Sequence, residues 1–261
     1  MLTLFEHPLS PYVQKVKIAL REKAIPFEPL TPNAIGSGAA AGAFVAANPR
    51  AEVPALVDGE TRIFDSTVIL EYIEDKWPSP ALLPATPAER ARVRMIEDVM
   101  DTQFEAINWA LGEIHRFRRA EGTLAETLTA KAAAQTAGFF DWLERELGER
   151  PWFNGDAFGW GDLSVVPYAN GAAGFGNAPA PGSRLSAWLE RTNARPSVGE
   201  TAREARASLA TLARVAEVIE SGKFKREYRD HRLEWMIKSG GVAVVLKGLE
   251  KDNIRFSADF R

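Results

Sequence analysis

There is no cysteine anywhere in the 261 residues, which excludes a disulfide framework, a thiolate metal site and a cysteine nucleophile. Histidine is almost as scarce. His7, His115 and His231 are the only three, with neither HxxxH nor HxxE spacing, so no metal is expected. No apolar run approaches the length that spans a bilayer. The start MLTLFEHPL lacks the basic n-region and apolar h-region of a signal peptide. Positive charge is not in excess either: a formal net charge of −3 gives no electrostatic reason to expect a nucleic acid or an anionic membrane as partner. What remains, 46% hydrophobic and 26% charged residues, is the balance of a soluble globular protein with room for one large domain or two ordinary ones. The expectation is a cytoplasmic protein.

Residues 2–6 alternate as a short strand does. Residues 11–24 place Val13, Val16, Ile18, Ala19 and Leu20 mainly on one helical face, with Lys15, Lys17, Arg21 and Glu22 elsewhere. IPFEPLT reads as a second strand whose prolines suit an edge or strand ends. The loose stretch AIGSGAAAGAFVAANP ends in a short helix before Pro49, and VPALVDGETRIFD has the form of a hairpin around Asp58-Gly59. STVILEYIEDKW is a helix that starts at Asp65 or Ser66 and is halted by Pro78. The order β-α-β-α-β-β-α within about eighty residues describes a compact α/β unit. GSGAAAG resembles a dinucleotide loop only superficially, because the strand before it is broken by proline and its order is not GxGxxG.

Beyond PSPALLPATPAER, a Pro/Ala-rich linker, the periodicity is helical throughout: 87–120, 124–148, 160–172, 183–194 and 197–221. A tail follows, with two helices separated by Gly240-Gly241 and an extended end at IRFSADF. KFKREYRDHR in that tail is basic but interleaved with acids, as a solvated helix face is. The expected domains are 1–78 for the α/β part, 79–87 for the linker, 88–221 for an all-helical part and 222–261 for a helical extension.

Three joints in the α/β part carry chemistry. Ser10-Pro11 is an ordinary helix start, serine as cap and proline at the first helical position. The same geometry has a second use: a hydroxyl beside free N–H groups at a helix N-terminus stabilises an anion, and lowers the pKa of a thiol held there. The chain has no thiol of its own, so that thiol would arrive with a ligand. EVPAL opens a strand at a proline, either as a plain strand start or as a place where an extended peptide pairs with Val53. Asp65-Ser66 is either a helix cap or a carboxylate-and-ammonium site for an amino-acid head group. Thiol, extended backbone and amino-acid head group together describe glutathione.

SPYVQKVKIAL, NPRAEVPALVDG and FDSTVILEYIEDKWP, in this order and spacing, resemble the thioredoxin-like domain of the cytosolic-type glutathione S-transferases. The all-helical remainder resembles the family's second domain, so the resemblance covers about residues 1–215. It implies a bacterial, serine-type member, similar to the theta, phi and zeta classes, with a C-terminal extension. It implies that Ser10 hydrogen-bonds the glutathione thiolate, with Tyr12 as the rival hydroxyl one step inside the helix. It further implies that Pro54 is the cis-proline, that Val53 pairs with the cysteinyl backbone, and that Asp65 and Ser66 hold the γ-glutamyl end. Pro11, at the helix start, and Glu52 are counted with them among the glutathione-binding residues. Around the glycyl carboxylate the sequence departs from the family: Glu52 precedes the Val-Pro pair, and Arg50 is the substitute cation. In FGWGDL, Gly159 stands where the family has a capping serine or threonine, with Asp162 at the third helical position, a segment similar to the bacterial branch of glutathione lyases and β-etherases.

By the same resemblance, Met100, Phe104, Asn108, Trp109, His115 and Trp160 are candidates for an electrophile site between the domains, although aromatic residues at helical spacing also make core. The implied function is conjugation of glutathione, as co-substrate and without a metal, to a small hydrophobic electrophile by a detoxification-type homodimer. Two alternatives stand beside it: a glutathione-dependent lyase or β-etherase acting on aromatic ethers or thioethers, and a non-catalytic binding module of the same fold. The tail is apolar enough to dock, either over the outer helices or as a cap on the cleft.

Overall fold

The computed structural model describes residues 1–33, 40–210, 217–219, 233, 237 and 240–251. The chain opens with β1 (Leu2–Phe5), α1 (Pro11–Glu22), β2 (Phe27–Leu30), α2 (Ala43–Ala47), β3 (Ala55–Asp58), β4 (Thr61–Phe64) and α3 (Ser66–Lys76). The sheet order is β2-β1-β3-β4, with β1 parallel to β2 and the other two pairings antiparallel. The proline-bearing β2 therefore lies at an edge, where a missing N–H costs least. Alternation decides what each face of the sheet covers. Leu2, Leu4 and Leu56 turn into the main core with Val16 and Leu20 of α1 and Ile69 and Ile73 of α3. Phe5 and Ala55 turn the other way, onto Phe44 and Ala47 of α2.

The linker is not loose. Leu82 and Leu83 are buried in the core, and both donate their N–H groups to the Glu74 carboxylate, at 2.9 and 3.0 Å. The helical half then begins with one long rod. It is built of α4 (Pro87–Val99) and α5 (Glu105–Leu111), with π-helical turns at Met100–Phe104 and Gly112–Arg116. After it come α6 (Gly122–Leu147), α7 (Trp160–Ala173), α8 (Arg184–Asn193), α9 (Pro196–Leu209) and α10 (Val242–Glu250). Among the described residues no helix is long and apolar enough to cross a membrane. The first of the two expected tail helices, the end of the helix expected over 197–221, the GSGAAAG loop and the extended IRFSADF lie outside the described residues in whole or in part. On α10, Val242, Leu246 and Leu249 are exposed.

α7 is the central helix, with eleven of its fourteen residues buried. Its start is fixed by Asp162, whose carboxylate accepts from the N–H groups of Phe153 at 2.8 Å and Gly159 at 3.0 Å and from the Trp188 indole at 2.8 Å. Burial pushes this carboxyl up to about 6, while those donors pull the other way. Gly159 is there because of space: a Cβ on it would lie 2.3 Å from the Leu82 carbonyl oxygen.

The helical periodicity of α1 sets Lys15 and Lys17 off its apolar face, yet both are buried. α1 has no exposed residue to give them, since it packs on the sheet through the shared core and on α3, α7 and α9. Lys17 is paired with Glu6 at 2.6 Å and Glu204 at 2.7 Å. Lys15 reaches across to the long rod, pairing with Glu97 at 2.5 Å and with Asp101. Burial alone would depress the Lys15 ammonium, but Asp101 and Glu97 hold its pKa above the ordinary value. Two carboxylates for one ammonium leave a surplus negative charge, which neutral donors take up. Thr67 and the Trp160 indole donate to Glu97, at 2.9 and 2.5 Å, and the Tyr168 hydroxyl donates to Asp101 at 2.7 Å.

Lys15→Met should be strongly destabilising despite the apolar replacement, by about 3–5 kcal/mol, because it strands two buried carboxylates; denaturant unfolding reads this directly. Gly159→Ser, which supplies the hydroxyl that helix capping favours, should also destabilise, by about 1–3 kcal/mol, because its Cβ meets main chain.

Candidate active site

Strand register gathers the three joints. Phe5 stands opposite Ala55, and Ala55 opposite Phe64. This row closes the sheet at the end where β1 leads to Ser10, where Val53 and Pro54 enter β3, and where β4 leads to Asp65 and Ser66. Segments far apart in the sequence thus meet at one end of one sheet, with the N-termini of α1 and α3 beside them.

Ser10 is the N-cap of α1, its Oγ accepting from the Val13 N–H at a long 3.4 Å. That leaves the hydroxyl proton available to a ligand. Pro11 is the first helical residue. The turn before Ser10 is pinned from three sides. Ser10 N–H donates to the His7 carbonyl at 2.9 Å, Leu9 N–H donates to His7 Nδ1 at 3.3 Å, and the Gln14 amide donates to the Pro8 carbonyl at 2.9 Å. Burial lowers the His7 pKa, in keeping with an Nδ1 that accepts. Tyr12 is turned away from this end; its hydroxyl donates to the Asp101 carbonyl at 2.7 Å. The π-helical turn frees that acceptor, since Glu105 donates its N–H to Met100.

The Val53–Pro54 bond is cis, and Val53 lies just ahead of β3, outside the strand register. The loop leading to it is held by the buried Asn48, whose amide donates to the Glu52 carbonyl at 2.8 Å and accepts from Arg50 N–H at 2.9 Å. Arg50 lies 3.4 Å from the Glu52 carboxylate and 5.1 Å from the centre of the Phe64 ring, at the same end of the sheet. Ala51 and Asp65 both have positive φ, 53° and 74°, which costs a side-chain-bearing residue about 1–3 kcal/mol. At Asp65 this conformation lets Oδ1 alone cap α3, accepting from Thr67 N–H at 3.0 Å and Val68 N–H at 3.3 Å. The second oxygen, Oδ2, has no partner among the described residues. Ser66, the first residue of α3, is buried, and its hydroxyl also has no partner among the described residues.

The candidate electrophile residues divide. Met100, Phe104 and Trp160 are fully enclosed in the main core. They offer no surface to a substrate, which corrects the expectation that they line the site: they stand at the seam of α1, the long rod and α7, where packing closes over them. Phe104, for example, packs on Phe139, Phe140 and Tyr168. Asn108 and Trp109 are half-buried and His115 is exposed. The Asn108 amide donates to the Tyr168 carbonyl at 2.9 Å, leaving its Oδ1 buried without a partner. His115 Nε2 is 3.1 Å from the Thr129 hydroxyl, and its ring stands 6.2 Å from that of Phe175.

His7, Gln14 and Asn48 fix the site loops but carry no sequence signal beyond their own polarity. Asp101 and Tyr168, which steady Tyr12, lie in helical segments that periodicity reads only as packing.

The profile of the glutathione S-transferase N-terminal domain matches residues 4–81, and that of the C-terminal domain matches residues 88–191. Glutathione S-transferase U28 of Arabidopsis thaliana is 30% identical over 74% of this chain and 84% of its own length. The maleylacetoacetate isomerase of Pseudomonas aeruginosa is 29% identical over 72% and 86%. A rice GST1 solved in complex with glutathione superposes with a TM-score of 0.66 at 26% identity, covering 84% of this chain and 98% of that one. With its four-stranded mixed sheet followed by a mostly helical second half, the chain belongs to the glutathione S-transferase family.

Proposed function

We propose that this protein binds glutathione as a thiolate and conjugates it to an electrophilic carbon. The observation that carries the reading is the row Phe5–Ala55–Phe64, which sets Ser10, Val53–Pro54 and Asp65–Ser66 at one end of the sheet. Ser10 then donates its hydroxyl proton to the thiolate while the α1 dipole favours the charge, and both lower the pKa of the bound thiol. Val53 pairs with the cysteinyl backbone in strand fashion. Asp65 Oδ2 takes the γ-glutamyl ammonium, and the Ser66 hydroxyl with the first N–H of α3 takes its carboxylate. Arg50 takes the glycyl carboxylate, exchanging its contact with Glu52. The thiolate attacks the electrophile in the cleft toward Asn108 and Trp109, and the leaving group departs with the bonding electron pair. Tyr12 is a positioning group, because its proton is committed to Asp101. The working form in this reading is a cytoplasmic homodimer.

Ser10→Ala should cut turnover with 1-chloro-2,4-dinitrobenzene by about ten- to a thousand-fold, with a much smaller change in glutathione affinity. Tyr12→Phe should lower stability by about 0.5–1.5 kcal/mol through the lost interdomain bond and leave most of the turnover. If Tyr12→Phe is inactive and Ser10→Ala is not, the hydroxyl is wrongly assigned.

Ser66→Ala acts before chemistry. Calorimetry should find glutathione bound more weakly by about 1.5–3 kcal/mol, the worth of one hydrogen bond to a charged group. Unchanged affinity would remove α3 from the site.

A further inference from the structure

The end of the long rod reads GEIHRFRR, with three arginines close together in a chain of net charge −3. Glu113 answers Arg119, at 3.7 Å. Arg116 is different. It is half-buried, with its guanidinium carbon 4.5 Å from the centre of the Phe175 ring just past the end of α7. Among the described residues it has no carboxylate partner, and no hydrogen bond to the last carbonyls of its own helix is formed. Burial, with no anion to oppose it, lowers its pKa. A cation partly withdrawn from water without a counter-charge is stabilised when an anion is brought to it. Stacking on Phe175 spends one face of the guanidinium and leaves its N–H edge free for two parallel bonds to a carboxylate.

The helix directions place this arginine with the site. Going back along α1, Lys15 is level with Glu97 and Tyr12 with Asp101, so α1 runs antiparallel to the long rod. Ser10 therefore lies on the Arg116 side of Asp101. α7 runs parallel to the rod, for Trp160 meets Glu97, Tyr168 meets Asp101 and Phe175 meets Arg116. At 1.5 Å per residue, Ser10 stands about 3 Å beyond Asp101 and Arg116 about 20 Å beyond it. The two levels are thus about 17 Å apart along the rod, and the arginine side chain, leaning back toward its helix's N-terminus, shortens the span to roughly 10 Å.

We propose that Arg116, backed by Phe175, binds an anionic substituent at the far end of the electrophile, so that elongated aromatic acids are preferred as substrates over neutral hydrophobic electrophiles. The proposal rests on the transferase reading for the position of the reacting carbon. It does not need that reading for the anion site itself. In the reaction the thiolate forms a C–S bond at the β-carbon of an enone, the π pair moves to the carbonyl oxygen, and solvent protonates the α-carbon.

Ethacrynic acid, an aryl enone with an oxyacetate at roughly that span, and its methyl ester differ in one negative charge. Calorimetric binding of both to the full-length protein should favour the acid. Arg116→Gln should shrink the acid-over-ester preference by about 10- to 100-fold, and Arg116→Lys should retain part of it. A preference equal in wild type and Arg116→Gln, or a wild type that favours the ester, overturns the anion site. Conjugation rates in the same samples judge the other reading. An Arg116-dependent preference in binding without conjugation of either compound, or of 1-chloro-2,4-dinitrobenzene, keeps the anion site and discards the transferase.

Discussion

Lys15 holds the two halves of the molecule in register. Its ammonium is withdrawn from water on α1 and met by Glu97 and Asp101 of the long rod. The seam is then completed by Thr67 from α3 and by Trp160 and Tyr168 from α7. Every one of these groups is bonded, which is the condition under which a buried charge is tolerated. A purely apolar seam would be at least as stable, but would let α1 slide or turn against the rod. A lysine with two carboxylates sets one position. Because Ser10 is the cap of that same helix, the cluster also fixes the helix N-terminus relative to the wall of helices facing it.

The second constraint is the antiparallel register of β1, β3 and β4. Each strand runs toward or away from the same end of the sheet, so each delivers one polar segment there. The cost is visible in backbone held where side-chain-bearing residues seldom go, at Ala51 and Asp65. It is offset by local bonds: Asn48 to either side of Ala51, and the Asp65 carboxylate to the first turn of α3. Those bonds use only one carboxylate oxygen of Asp65 and none of the Ser66 hydroxyl, so what is left over is what a zwitterionic head group requires.

Much of this was legible in the sequence, for identifiable reasons. Ser10-Pro11, Val53-Pro54 and Asp65-Ser66 are local signals, each written in two adjacent residues, and the hairpin at Asp58-Gly59 fixes how two of them come together. Lys15 and Lys17 were not legible as buried groups, since helical periodicity reports hydrophobicity and their partners lie far away in the chain. Met100, Phe104 and Trp160 could not be told from cleft residues, because an aromatic at helical spacing looks the same in a core as in a pocket. Gly159 looked like a weakened cap and proved to be a close approach of main chain to Leu82, which no property of glycine itself announces. Arg116 gave no signal at all: an arginine near a helix end is ordinary until its lack of a counter-ion is seen.

The central claim is that the start of α1 lowers the pKa of a thiol the protein does not itself possess. The direct measurement is a titration of the thiolate absorbance of glutathione bound at saturation. The midpoint should lie at least one unit below the roughly 8.5 of a free cysteine thiol, and should move back toward it in Ser10→Ala. A bound thiol that titrates like free glutathione in the wild type would contradict the account.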